Sequence, residues 1–363
     1  MRWSLLAAVS ISPLMMLSLA GFGSAQTPDS VRISGPVQHE NLALFFIHAP
    51  SAPGKVPLTL EEALAKGVVK VRETSNVNQL EIDNLGDEEV FVQSGDIVKG
   101  GKQDRTLMVS LVLPPKSGAV PIASFCVEEG RWTARGREDA GHFSTASAAV
   151  PSREMKLAMK APMPAAGPAP DSSRTRAGTN VTAAAETGVR QQRVWDSVRK
   201  TQSLLTGSLG ASVRSAQSAS SLQLALENDK LKDAQDAYIK ALKDAGESAD
   251  DIVGFVFVVN GAINSADVYP SNGLFRKMWS KLLTASVIEA IGHRGEPAGA
   301  APDVAAVSAF LAAAETGKAS EKALNAGARL ETREAAAGYL FETARVTSPA
   351  APASWVHRNY LAK

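Results

Sequence analysis

The sequence predicts an α+β protein built on antiparallel sheet, on three observations. Short β-type runs in the first 143 residues are joined by turns too brief for a crossover helix, which favours antiparallel pairing. A continuous apolar run at residues 252–259 ends at Asn260-Gly261, the pair that a two-residue type I′ hairpin turn requires at its positive-φ positions. Leu231, Ala234, Tyr238 and Leu242 recur at helical spacing, and further helical patterns alternate with strand runs to the C-terminus.

Taken in order, residues 1–25 read as a secretory leader. Arg2 supplies the positive start, residues 5–20 an apolar run interrupted by Pro13, and Gly23-Ser24-Ala25 the small residues of a cleavage site before Gln26. The run is shorter than the ~20 residues a membrane span needs, and no later stretch reaches that length. The expectation is an exported protein, periplasmic or extracellular, with no membrane span after cleavage.

Residues 26–143 form a β-rich block. Residues 42–48 are apolar at every position up to His48, as in a strand buried on both faces. Thr59-Leu60-Glu61-Glu62 is a capping box that opens a short helix ending at Gly67. Runs at 68–71, 79–82 and 89–93 are short strands, and 106–113 reads as one longer strand. Pro114-Pro115-Lys116-Ser117-Gly118 turns the chain into a return strand over 120–127. Residues 144–188, rich in Ala, Pro, Ser and Thr, read as a linker or surface loop, with Met155, Leu157 and Met159 alternating as in a short edge strand. Residues 189–363 form an α+β block. It holds helices over 191–201, 231–245, 274–291 and 304–314, the hairpin 252–269, and terminal strands at 329–332, 339–343 and 355–360. Neither block has a complete core alone, so the two are expected to pack as one unit.

Composition narrows the chemistry. A formal net charge of +1 argues against a bulk nucleic-acid binder or a polybasic membrane protein. The single Cys126 excludes an internal disulfide framework and a multi-cysteine metal site. The histidines at 39, 48, 142, 293 and 357 lack metal-ligand spacing, so no metal is expected. No G-x-S-x-G element or dinucleotide fingerprint occurs, and no cofactor is assigned.

Two short segments carry the candidate chemistry. In residues 95–105, Gly95, Gly100 and Gly101 allow close backbone approach, while Lys99, Lys102 and Arg105 flank Gln103: a cradle for phosphate or carboxylate, or a basic surface turn. It is not a Walker A loop, because Gly101 follows Gly100 and Gln103 follows Lys102. In residues 126–132, Cys126 lies near Glu128, Arg131 and Trp132. Cys126 is either a nucleophile, with His142 the nearest base in sequence, or a small buried apolar residue. Glu128 is a candidate acid/base, and Arg131 with Trp132 a candidate cation–π pair. Asp267, inside a strand run, needs a partner, for which Arg105 and Arg131 are the candidates.

Gly100-Gly101-Lys102-Gln103-Asp104-Arg105 and Cys126-Val127-Glu128-Glu129-Gly130-Arg131-Trp132, with Val194-Trp195, Val259-Asn260-Gly261 and Trp279-Ser280-Lys281-Leu282-Leu283, give the chain a family likeness. Over roughly residues 36–292 it resembles a bacterial and archaeal domain family named for its association with ADP-ribosylglycohydrolases and rhodanese-phosphatase proteins. The resemblance implies no settled activity, only a link to ADP-ribose or NAD-derived metabolism by gene neighbourhood.

Three classes stay open. The leading one is an exported ligand-binding or scaffold domain that recognises an anionic, nucleotide-like ligand through Lys102, Gln103, Arg105, Glu128, Arg131 and Trp132. The second is a hydrolase or transferase on ADP-ribose-like or phosphorylated substrates, with Glu128, Cys126 or Asp267 catalytic and Arg105 and Arg131 stabilising charge. The third is a protein-interaction module in which these residues are purely structural.

Overall fold

The computed structural model describes residues 31–74, 76–133, 135, 143–150, 152–163, 178–325, 327–346 and 354–363. The leader expected over residues 1–25, and His142, lie outside them. The chain opens with a hairpin of β1 (Arg32–His39) and β2 (Leu42–His48). Next, β3 (Leu58–Thr59) runs straight into α1 (Leu60–Ala65). The Thr59 hydroxyl accepts the Glu62 N–H at 3.1 Å, and the Glu62 carboxylate accepts the Thr59 N–H at 2.8 Å, so the capping box forms as expected. Then come β4 (Val69–Glu73), β5 (Gln79–Asn84), β6 (Val90–Val92), β7 (Asp96–Gly100), β8 (Arg105–Leu107), β9 (Leu111–Leu113), β10 (Gly118–Cys126) and β11 (Phe143–Ala149). Four helices follow: α2 (Arg153–Lys160), α3 (Gly178–Leu209), α4 (Leu222–Leu226) and α5 (Asp229–Leu242). The hairpin β12 (Ile252–Val259) and β13 (Ala262–Val268) precedes α6 (Asn272–Gly292) and α7 (Val304–Glu315). The chain closes with β14 (Lys318–Ala323), β15 (Ala328–Glu334), β16 (Gly338–Arg345) and β17 (Ser354–Ala362).

The α+β expectation holds, and the sheets are antiparallel apart from the β3–β6 pair. An 8-stranded sheet has the order β1-β2-β12-β13-β17-β16-β15-β14. Strands from both ends of the chain therefore share it: Phe46 of β2 lies opposite Phe255 of β12, and Leu44 opposite Phe257. Alternation along β2 sends Leu42, Leu44 and Phe46 into the core beneath α5 and α6. Ala43, Phe45 and Ile47 point to the opposite face, into the core with Val307 and Phe310 of α7. Asn260 (φ +53) and Gly261 (φ +84) form the β12–β13 turn in the predicted conformation. A 6-stranded sheet (β11-β7-β8-β10-β5-β4) and a 3-stranded one (β3-β6-β9) pack with α1 around a further core.

Two expectations are corrected. The single strand over 106–113 is two, β8 in the 6-stranded sheet and β9 in the 3-stranded one. At the break, Ser94 donates its hydroxyl to the Met108 carbonyl at 2.8 Å, and its N–H goes to the Ser110 hydroxyl at 2.9 Å. Side chains thus satisfy backbone groups that no strand partner meets. The region read as a linker carries β11, α2 and the start of α3 among its described residues, while residues 164–177 lie outside them. Met155 and Met159, read as edge-strand positions, lie one turn apart on α2, both fully buried. Positions 155 and 159 fit a period of 2 as well as an i, i+4 pair, and burial against the helical core selects the helix.

Candidate functional site

Strand register joins the two candidate segments. Arg105 at the start of β8 pairs with Cys126 at the end of β10, and with Val98 of β7 on its other side. Residues 95–105 are therefore half strand rather than one loop. The turn out of β7 is made by Gly100 (φ +119) and Gly101 (φ +54). A Cβ on Gly101 would lie 2.4 Å from the Phe143 ring, so glycine there serves both conformation and close packing.

The polar side chains at this turn form a buried ionic knot. Asp104, Arg105 and Glu128 are fully buried, and Gln103 nearly so. Arg131 meets Glu128 at 2.7 Å and donates to the Gly101 carbonyl at 3.2 Å. Arg135 donates to both oxygens of Asp104, at 3.0 and 3.2 Å, and the Ser221 hydroxyl adds a third donor at 2.9 Å. The Gly100 N–H donates to Asp104 at 3.0 Å, and the Asp104 N–H to Glu128 at 3.2 Å. Gln103 donates to the Glu128 carbonyl at 2.9 Å and accepts from Arg105 at 3.1 Å. Arg105 also sits 3.5 Å from Glu73, whose carboxylate accepts the Lys102 N–H at 3.0 Å. Arg105, Arg131 and Arg135 thus face Glu73, Asp104 and Glu128, because a buried charge needs a partner.

This environment sets the chemistry of the candidate catalysts. Burial pushes the Cys126 thiol up to about 11, against the pull of Arg105, so it stays protonated at neutral pH. Burial alone would raise Glu128. The Arg131 guanidinium, the Ser218 hydroxyl and the Asp104 N–H outweigh it and hold the carboxyl below its ordinary value. A buried carboxylate held ionised by these neighbours is poorly placed to act as a general acid.

Beside the knot lies a cleft of about 280 Å³, lined among others by Gln103, Cys126, Arg131, Trp132, Gln191 and Trp195. Trp132 is 50% exposed at its rim, with Lys102 Nζ 5.4 Å and Arg105 Cζ 5.9 Å from the ring centre. Arg131 Nε and Trp195 Nε1 are buried there with no hydrogen-bond partner among the described residues. From α3, Gln191 brackets Cys126 like an extra strand, donating to its carbonyl and accepting its N–H, both at 2.9 Å.

The sequence-predicted residues Lys102, Gln103, Arg105, Cys126, Glu128, Arg131 and Trp132 therefore come together. Asp267 does not. On β13 it lies opposite Asn359 of β17, and its expected partners Arg105 and Arg131 are replaced by His357 at 3.0 Å and Asn359 at 2.9 Å. Glu73, Asp104, Arg135, Gln191 and Ser221 escaped the sequence reading as site residues. Asp104 sits inside the quoted motif, whereas Gln191 and Ser221 carry no local signal.

A family model, the ARG and Rhodanese-Phosphatase-superfamily-associated Protein domain (ARPP-1), matches residues 30–361. The chain belongs to the ARPP-1 family. The match reaches the last strand, well past the resemblance traced to about residue 292, so β14–β17 are part of the ARPP-1 domain rather than an appendage. No curated protein and no solved structure matches the chain. No described helix is long and apolar enough to cross a membrane.

Proposed function

We propose that this ARPP-1 chain acts by binding, and that the cleft beside Trp132 takes a small anionic ligand bearing a flat ring, as a nucleotide does. The observation that carries this reading is the set of uncommitted donors and the exposed ring at the cleft. An exposed indole offers a stacking face, Lys102 is a cation with no ion pair among the described residues, and Arg131 Nε and Trp195 Nε1 are unpartnered donors. The arginines of the knot are neutralised internally, so Lys102 supplies the charge and Trp132 the area. The protonated Cys126 and the tied Glu128 favour binding over catalysis at this cleft. The family's association points toward ADP-ribose-like ligands, and the leader expected over residues 1–25 favours an encounter outside the cytoplasm.

The test is a thermal-shift and tryptophan-fluorescence titration of the purified protein with NAD, ADP-ribose, mononucleotides, sugar phosphates and inorganic phosphate. A ligand at a hundred times its Kd stabilises by about 2.7 kcal/mol, a visible shift. The expected hit quenches fluorescence, loses the quench in Trp132→Ala and weakens in Lys102→Ala, with both variants folded. A panel without a shift or a quench, or a hit untouched by both substitutions, overturns the reading.

A further inference from the structure

Away from the cleft, at the β1 edge of the 8-stranded sheet, register lines up three side chains. Ser34 on β1 lies opposite Phe46, and His48 lies two residues further along β2, opposite Arg32. On its other side His48 lies opposite Ile252, the first residue of β12, which brings the preceding Asp251 to the imidazole. The Ser34 hydroxyl is 2.8 Å from His48 Nε2, and His48 Nδ1 is 2.6 Å from Asp251 Oδ1. Arg32 holds the second Asp251 oxygen at 3.2 Å, and the Ala49 N–H holds the Asp251 carbonyl at 2.9 Å.

We propose that Ser34, His48 and Asp251 form a nucleophilic triad that hydrolyses small carboxylic esters at this sheet edge. A serine hydroxyl becomes a nucleophile when a base takes its proton, and the base works when a third group fixes its tautomer. The hydrogen bonds assign both roles. A carboxylate on Nδ1 keeps the proton there, leaving the Nε2 lone pair facing Ser34. The His48 hydrogen bond and Arg32 hold the Asp251 carboxyl below its ordinary value, so it is ionised. Exposure divides in the same sense: His48 is 5% exposed and shielded, while Ser34 is only partly buried.

The surroundings suit the chemistry. Among the described residues β1 pairs with β2 alone, so outward N–H groups of this edge lack a strand partner, the donor type that a tetrahedral oxyanion needs. Directly after the nucleophile the register shifts, with Gly35 at φ +117 and so close to β2 that a Cβ would lie 2.7 Å from the Leu44 carbonyl. The same three residue types recur at Ser110, His357 and Asp267, with contacts of 2.9 and 3.0 Å. Those three are each about 2% exposed, and the Ser110 hydroxyl already accepts the Ser94 N–H, so no ester reaches them. Access, not residue type, separates the two constellations.

In the reaction, His48 Nε2 takes the Ser34 proton as Oγ bonds to the ester carbonyl carbon. The bond to the alkoxide breaks, and the alcohol leaves with the proton from His48. Water then attacks the acyl-serine, giving its proton to His48. The Oγ–carbon bond breaks, Ser34 recovers the proton, and a carboxylic acid is released.

The test incubates the full chain with an alkyl fluorophosphonate, which loses fluoride to an activated serine, and with p-nitrophenyl acetate. Adducts are located by peptide mass spectrometry. The expected result is one phosphonyl adduct on Ser34 of the native protein and none on the urea-unfolded chain. Ser34→Ala removes it. His48→Gln and Asp251→Asn slow labelling about a hundredfold or more, and Asp251→Glu restores most of the rate, with thermal midpoints close to wild type. The native-against-unfolded comparison stands on wild-type protein alone if a variant fails to fold. Native protein without an adduct on Ser34, or Ser34→Ala hydrolysing p-nitrophenyl acetate at the wild-type rate, overturns the proposal.

Discussion

Replacing Glu128 by Gln removes one negative charge from the centre of the knot while keeping shape and one acceptor. Glu128 is fully buried, and the side chains of its partners Arg131 and Arg135 are only 10% and 6% exposed. Water therefore cannot replace the lost carboxylate, and the 2.7 Å contact of Arg131 is left with a neutral amide oxygen in place of a charged partner. Breaking a buried pair costs about 3–5 kcal/mol, and since Gln can still accept the Asp104 N–H, the expected cost is about 3 kcal/mol. At an m-value of about 3 kcal/mol/M, the urea midpoint falls by roughly 1 M with an unchanged slope. A cycle with Arg131→Met should return a favourable coupling between the two positions. The sign with pH follows from the depressed folded-state pKa of Glu128. Its contribution is fully present above the unfolded carboxyl value of about 4.3 and is lost as pH falls through the lower folded value, so Glu128→Gln flattens the acid limb of the stability curve. A loss below about 0.5 kcal/mol, typical of a surface pair, would refute the reasoning: the arginines would then be solvated and free to meet an anion.

Other substitutions test the same packing and electrostatics. Gly101→Ala should cost about 2 kcal/mol or more in urea unfolding, from the left-handed backbone and the clash with Phe143; a neutral result would mean that this turn relaxes freely. Cys126 should resist iodoacetamide at pH 8 in the native protein and react on unfolding, because its thiol is buried and protonated; native labelling at the rate of the unfolded chain would contradict this. Lys160 is buried, with Asn359 and the Phe341 ring as neighbours, and burial lowers it to about 7 against the pull of Asp267. The unfolded lysine stays protonated to about 10.4, so this residue makes stability rise with pH above 7. Urea midpoints at pH 7, 8 and 9 should climb more steeply for wild type than for Lys160→Met, and parallel slopes would show that Lys160 keeps its proton.

Where a pattern was local, the sequence told the element. The capping box at Thr59, the Asn260-Gly261 turn and the apolar run of β12 each rest on residues a few positions apart, and each forms. β14, by contrast, is exposed at every position and carries no apolar alternation, so nothing in Lys318–Ala323 announced a strand; pairing with β15 makes it one. The break at Ser110 was hidden because strand propensity over 106–113 is continuous, and only the demand of two different sheets divides it. At the candidate site, the glycines and the residue types of both segments were readable, but their cations looked free.

The sequence by itself determined that this is an α+β chain with glycine at the turn after β7, a lone cysteine and a cluster of cations split between two segments. Tertiary structure decided what the cations do. The Arg105–Cys126 register merges the segments, and burial at that seam requires countercharge from Glu73, Asp104 and Glu128. It likewise took Asp267 away from the arginines and gave it to His357, and it set Ser34 of β1, His48 at the end of β2 and Asp251 just before β12 in line. The reason is common to all of these. Composition and spacing fix what a side chain can do, whereas its charge state, its partner and its access to a ligand depend on residues brought near by sheet register, to which local sequence is blind.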